Sequence, residues 1–137
     1  MKRISVRGIV VTEKGLAVIF RRKINGDNIK EYYVIPGGGV ENTEDLEEAL
    51  KRELKEELNI EVDIKDLAFK VETDERIEYF YNCEYISGTF ELNGEEIERN
   101  TKINYYEPMF IDINKIDEYE INEKLKVYFR EKFAKIK

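Results

Sequence analysis

Three carboxylates, Glu53, Glu56 and Glu57, sit in the run Arg52-Glu53-Leu54-Lys55-Glu56-Glu57. On a helix, positions i, i+3 and i+4 are neighbours on one face, so the three acids would meet. The surrounding residues read as an amphipathic helix from about Glu44 to Leu58, with Leu46, Ala49 and Leu50 as its apolar stripe. At about 100° per residue, Glu53 and Glu57 project onto the middle of that stripe, roughly 20° either side of Leu46. Leu54 and Leu58 continue the apolar contact on one flank, and Glu56 lies on the other. The face that should meet the core therefore turns acidic in its last two turns.

Acids in that place are unfavourable on three counts. Near a helix C-terminus each opposes the macrodipole by about 0.3–1 kcal/mol. Like charges at i, i+4 add a few tenths, and burial of an unpaired carboxylate costs far more. A bound divalent cation reverses all three signs. The competing reading is a solvated helix on which Lys51 and Lys55 neutralise their neighbours. Upstream, Gly37-Gly38-Gly39 follow Pro36 and allow backbone to approach a ligand closely. The spacing matches neither a dinucleotide-binding fingerprint nor a P-loop.

The elements that must hold this segment are strands. Ile4 to Val11 and Leu16 to Phe20 read as strands around a Glu13-Lys14-Gly15 turn, and Arg21-Arg22-Lys23 stands at the end of the second. Asn25-Gly26-Asp27-Asn28 is turn chemistry, and Glu31 to Ile35 is a strand stopped by Pro36. Asn42 or Thr43 should cap the central helix, and Asn59 suits a left-handed C-terminal cap. Val62 to Ile64, Leu67 to Val71, Ile77 to Ile86, Thr89 to Leu92 and Tyr106 to Ile113 read as further strands, with a turn at Asn93-Gly94. Leu125, Val127, Tyr128, Phe129, Phe133 and Ile136 mark an amphipathic C-terminal helix from Lys124 to Ile136. Residues 1–137 thus read as one mixed α/β domain.

Composition narrows the chemistry. The chain has no His, which removes the commonest general base and transition-metal ligand and excludes a triad with a His base. Any metal must then be held by oxygen, which favours Mg²⁺, Mn²⁺ or Ca²⁺. The net charge of −7, from 23 Lys and Arg against 30 Asp and Glu, argues against binding duplex nucleic acid. The apolar runs are too short to span a bilayer, and no signal-peptide core follows Met1-Lys2-Arg3. A single cysteine, Cys83, suits a reducing compartment, and a cytoplasmic location is expected.

Taken together, Gly38, Glu44, Arg52-Glu53-Leu54, Glu56-Glu57 and Asn59-Ile60 resemble the signature of the Nudix hydrolases. Asn59 replaces the usual glycine, and either residue can form a left-handed cap. Thr43 also stands where many members have glycine. The signature covers Gly38 to Ile60, and the order of elements is similar to the Nudix fold, an α/β/α sandwich with a central mixed β-sheet. The resemblance implies a hydrolase that cleaves a nucleoside diphosphate linked to another group, using Mg²⁺ or Mn²⁺ and water. It implies that Glu53, Glu56 and Glu57 hold the metal, helped by a backbone carbonyl of Gly37 or Gly38. Glu53 would also act as base, and Arg52 would orient it while pairing with Glu44. Arg21, Arg22 and Lys23 are candidate cations for the substrate phosphates, with ordinary surface charge as the alternative.

Outside the box the family's specificity markers are missing. The upstream array of coenzyme A pyrophosphatases and the Trp-containing run of NADH pyrophosphatases are absent. ADP-ribose pyrophosphatases usually carry a proline where this chain has Glu75 and Arg76. A small nucleotide-cleaving member, such as a nucleoside triphosphate pyrophosphatase, is expected. Tyr32, Tyr33, Tyr79, Tyr81 and Tyr105 could stack on a base, although half-buried structure is the usual role of such tyrosines. The loop Glu95-Glu96-Ile97-Glu98 could add a metal ligand or base, against the plainer reading of a solvated acidic loop. Two other functions stay open: a non-catalytic nucleotide-sensing Nudix-like module, and a hydrolase of a non-nucleotide diphosphate. Pairing of two copies through strands or the C-terminal helix is also open.

Overall fold

The computed structural model describes residues 2–93, 97 and 100–136. Strand β1 (Arg3–Thr12) turns back into β2 (Gly15–Asn25) through a hairpin in which Thr12 faces Gly15. Gly15 takes φ +123°, a value that favours glycine. A second tight turn at Gly26-Asp27 leads into β3 (Asn28–Val34), with Asn25 opposite Asn28. Strand β2 is therefore longer than the pattern Leu16 to Phe20 suggests. Residues Ile19 to Lys23 pair with β3 on one side and with β7 (Asn104–Ile111) on the other, which carries the charged stretch into the sheet.

The three glycines also do more than loop. They form β4 (Gly37–Gly39), paired antiparallel with Ser5 to Arg7 of β1. Helix α1 (Leu46–Leu58) follows, then the long hairpin of β5 (Ile60–Glu72) and β6 (Arg76–Gly88). Strand β6 lies parallel to β1 from Arg3 opposite Arg76 to Val10 opposite Cys83, so the sheet is mixed. A 3₁₀ turn (Ile113–Glu118) and helix α2 (Glu123–Ile136) close the chain. Among the described residues seven strands make up the sheet, in the order β3-β2-β1-β6-β5 with β4 on β1 and β7 on β2.

Helices α1 and α2 cover opposite faces, and the two-residue period of the strands decides which side chain goes where. Val6 and Val10 of β1 with Ala17 and Ile19 of β2 pack under α1 against Ala49, Leu50, Leu54 and Leu58. Their neighbours Ile9, Leu16 and Val18 join Phe80, Leu125 and Phe129 on the α2 side. This is the expected sandwich. Replacing Leu54, which has no exposed surface, by Ala should destabilise the protein by about 3 kcal/mol, read as a lowered urea midpoint.

Some local expectations change. The N-cap of α1 is Asp45, not Asn42 or Thr43: its backbone is extended and its carboxylate accepts from Glu48 N–H at 2.8 Å. The Asn59 cap is as expected, left-handed at φ 53°, ψ 44°. Thr89 to Leu92 is not a strand. The N–H groups of Thr89, Glu91 and Asn93 instead donate to the carbonyls of Asn59, Leu58 and Glu57, and so close the open end of α1. On α2 Val127 is exposed and Lys126 takes a buried position, while the side chains of Phe133 and Ile136 lie outside those described. Among the described residues no helix is long and apolar enough to cross a membrane.

Candidate active site

Arg52 organises the end of α1. Its Nε and Nη2 donate as a fork to Glu44 Oε2 and Oε1 at 2.6 and 2.8 Å. Nη2 also donates to the Gly39 carbonyl at 3.0 Å. Nη1 reaches Glu53 Oε1 at 2.9 Å and Glu56 Oε2 at 3.1 Å. One guanidinium thus ties the start of the box, the glycine strand and two of the three acids together. Glu44 explains the late start of the helix, because its carboxylate turns back to accept from Glu41 N–H at 3.0 Å.

The Arg52 hydrogen bonds hold the Glu44 carboxyl down at about 2, against an ordinary 4.5. A carboxyl depressed in the fold contributes stability that is complete above its unfolded pKa and lost as pH falls toward the folded value. Urea midpoints in metal-free buffer should therefore drop between pH 4.5 and 2. That drop should be shallower in Glu44→Gln; equal slopes would remove the ion pair from the account.

Burial acts the other way on Glu53. It raises the carboxyl above its usual range, and the nearby charges of Arg52 and Arg7 pull it part of the way back. Glu53 lies over Gly38 so closely that a methyl group on Gly38 would stand 2.5 Å from the Glu53 carboxyl carbon. Glu57 Oε1 accepts from Gly37 N–H at 3.2 Å, so two acids of α1 face the glycine strand. Glu56, with 61% of its side chain exposed, lies on the outer flank.

A divalent cation fits this donor set by chemistry: three hard carboxylates, a backbone carbonyl beside them, and a glycine where any side chain would crowd Glu53. As they stand, Arg52 and Gly37 hold the acids apart. Among the described residues no three carboxylate or thiol side chains converge on one point.

Other predicted residues are elsewhere. Arg21 and Arg22 lie within β2, not at its end. Arg21 stacks on Tyr106 with its guanidinium carbon 3.8 Å from the ring centroid, donates to Asn104 at 2.8 Å, and leaves its Nε buried without a hydrogen bond. Arg22 pairs with Glu31 at 2.9 Å. Lys23 is exposed. Tyr79 and Tyr81 pack against the core under α1, and Tyr105 donates to Glu107. Tyr32 and Tyr33 differ, because both line an open cavity. Of the acidic loop, Glu95, Glu96 and Glu98 lie outside the described residues, as does Gly94 of the adjacent turn.

That cavity, of about 440 Å³, lies on the α2 side of the sheet beside Ile35, and its lining includes Arg7, Glu78, Phe80 and Ile121. Arg7 joins it to the box, being opposite Gly37 in the sheet and donating to the Ile35 carbonyl at 3.1 Å. The sequence carries one signal for it: arginine in the middle of ISVRGIVV occupies an inward position of an otherwise apolar strand.

Comparison with known proteins follows the same line. The sequence model of the NUDIX domain matches residues 1–127. The 8-oxo-dGTP diphosphatase of Haemophilus influenzae is 34% identical over 90 residues, which are 66% of this chain and 61% of that protein. The chain thus spans about three-fifths of the length of that curated relative. The MutT NUDIX hydrolase of Burkholderia pseudomallei superposes with TM-score 0.70 at 16% identity, covering 95% of this chain and 97% of that one. The MutT protein of Methanosarcina mazei Go1 gives 0.68 at 22% identity, covering 99% and 96%. At such identities the two structures speak for the fold alone.

Proposed function

The chain belongs to the NUDIX domain family, and we propose that it is a metal-dependent pyrophosphohydrolase that cleaves a nucleoside triphosphate to a nucleoside monophosphate and diphosphate. The observation that supports this reading best is the Arg52 clamp, which brings Glu44, Gly39, Glu53 and Glu56 into one hydrogen-bonded unit. The substrate class follows the H. influenzae relative, whose name is that of a nucleoside triphosphate diphosphatase.

In this reading Glu53, Glu56 and Glu57 hold Mg²⁺ or Mn²⁺, with a carbonyl of Gly37 or Gly38. When bound, a divalent ion neutralises charge on the phosphates, which an acidic protein could not otherwise approach. Arg52 positions Glu53 by holding Oε1, which leaves Oε2, over Gly38, to take a proton from the attacking water. The glycine strand presents no side chain to obstruct the phosphates. Arg7 stands between the box and the cavity, which is placed to receive the nucleoside. Arg21 and Arg22 have partners on the strands beside β2 and are not assigned to the phosphates. The one free cysteine, Cys83, is buried with its thiol pushed up to about 12, which suits a reducing, cytoplasmic setting.

The test is a hydrolysis screen with Mg²⁺ over nucleoside triphosphates, oxidised nucleotides, ADP-ribose and dinucleoside polyphosphates. From a nucleoside triphosphate, the nucleoside monophosphate and inorganic diphosphate should appear together, stop on chelation and resume when Mg²⁺ is restored. Stepwise release of single phosphates, or no turnover on any compound, would count against the reading.

A further inference from the structure

We propose that Glu78, in the cavity beside the glycine strand, reads the substrate's base by accepting two adjacent N–H groups, and so selects a guanine-type ring. This rests on the pyrophosphohydrolase reading of the neighbouring box.

The cavity has the walls of a site for a flat ring. Tyr33, Ile35, Phe80 and Ile121 supply apolar surface. Tyr33 is fixed there: its N–H donates to the Glu120 carbonyl at 2.8 Å, and its ring meets Tyr119 edge-on with centroids 5.0 Å apart. Three carboxylates line it, Glu78, Glu120 and Glu123; the last two are exposed, while the side chain of Glu78 is only 20% exposed. Arg7 Nε lies 3.3 Å from Glu78 Oε2, and Arg76 Nη1 lies 3.5 Å from Oε1. Arg7 is itself anchored on the Ile35 carbonyl. The two guanidiniums compensate the charge and restrain the carboxylate. Both contacts are long, and a carboxylate has about four lone-pair sites, so each oxygen can accept a further, shorter hydrogen bond.

A carboxylate with both oxygens available matches two donors side by side. Guanine offers them as N1–H and the 2-amino group. Hypoxanthine offers N1–H alone. Adenine and cytosine set one amino group beside a ring acceptor, and uracil flanks its N–H with carbonyl oxygens; each places an acceptor against a carboxylate oxygen. A pocket built to bond a donor rejects the analogue that lacks it, because its own polar group is then left unpaired. A bidentate pair of this kind discriminates by roughly 5- to 150-fold.

Calorimetric titration of GMP, IMP and AMP into the full chain with Mg²⁺ tests this without requiring turnover. GMP should bind at least about fivefold more tightly than IMP, with AMP weaker still. In Glu78→Gln, GMP and IMP should converge to within about twofold, because the amide accepts only one of the two donors. Equal binding of GMP and IMP by the unmodified protein, or no binding of either, overturns the proposal without reference to any variant. So does a Glu78→Gln protein that loses affinity for both by the same factor, the behaviour of a purely structural ion pair. Selective GMP binding without hydrolysis of any triphosphate would sustain the role of Glu78 and overturn the hydrolytic reading. Hydrolysis without guanine preference would do the reverse.

Discussion

Glu53→Gln is expected to lower Mg²⁺-dependent diphosphate release by about 10³-fold or more while leaving the protein folded, with a Tm equal to or above that of the unmodified chain. The two halves of that result have separate causes. Gln keeps the length of the side chain and an oxygen for Arg52 Nη1, so the clamp on Glu44 and Gly39 persists. It removes a negative charge that burial disfavours. For a carboxyl whose pKa is raised in the fold, the penalty applies at neutral pH, where the group is ionised, and vanishes as pH falls below its pKa. The substitution therefore relieves the folded state at pH 7. What it takes away is a hard anionic ligand and a base. Loss of activity with a retained or raised Tm is the mark of a residue held in place for chemistry. A variant that keeps more than a tenth of the activity, or melts far below the unmodified protein, would assign Glu53 to structure.

Gly37→Ala should destabilise the protein by about 3 kcal/mol, as much as emptying the core at Leu54, read as a fall in the urea midpoint. Gly37 has φ +152°, and a methyl group there would overlap the Val6 carbonyl and come within 2.9 Å of Arg7 Cα. Both obstacles are backbone of β1, which cannot swing aside without breaking the β4 pairing. Gly38→Ala is the informative contrast. The three atoms nearest the methyl group there all belong to the Glu53 carboxylate, the far end of a side chain that can rotate away. Stability should change little, and activity should fall by about 10²-fold because Glu53, the proposed base, is displaced. Equal loss of stability in the two variants would show that the glycines serve the fold alone.

The contrast between these neighbouring glycines shows what kind of information the chain carries locally. The helix projection depends on residues a few positions apart, and helical geometry fixes their relation whatever the rest of the protein does. For that reason Glu53 and Glu57 could be placed on the inward face, and Asn59 could be recognised as a left-handed cap. The β-branched run Ile4 to Val11 and the apolar run Leu16 to Phe20 likewise read as strands. The errors arose where a backbone group had two partners to choose from. Thr89 to Leu92 has the composition of a strand, but its N–H groups satisfy the carbonyls at the end of α1. Asn42 and Thr43 are good caps in isolation, but Glu44 turns back on Glu41, and the cap shifts to Asp45. Arg21 and Arg22 looked terminal until β3 and β7 lengthened β2 on both sides.

By itself, then, the sequence determined the acid cluster, its place on one helix and the class of reaction. Each of these depends on residue type and short spacing. The tertiary structure alone decided what meets that cluster. Pairing of β4 with β1 sets Gly37 and Gly38 against Glu57 and Glu53, and parallel pairing of β1 with β6 brings Arg7 to Glu78 across 71 positions of chain. Strand partners and register are settled by burial over the whole sheet, since a shift of one residue turns every side chain to the other face. No local pattern in the chain records the outcome of that competition.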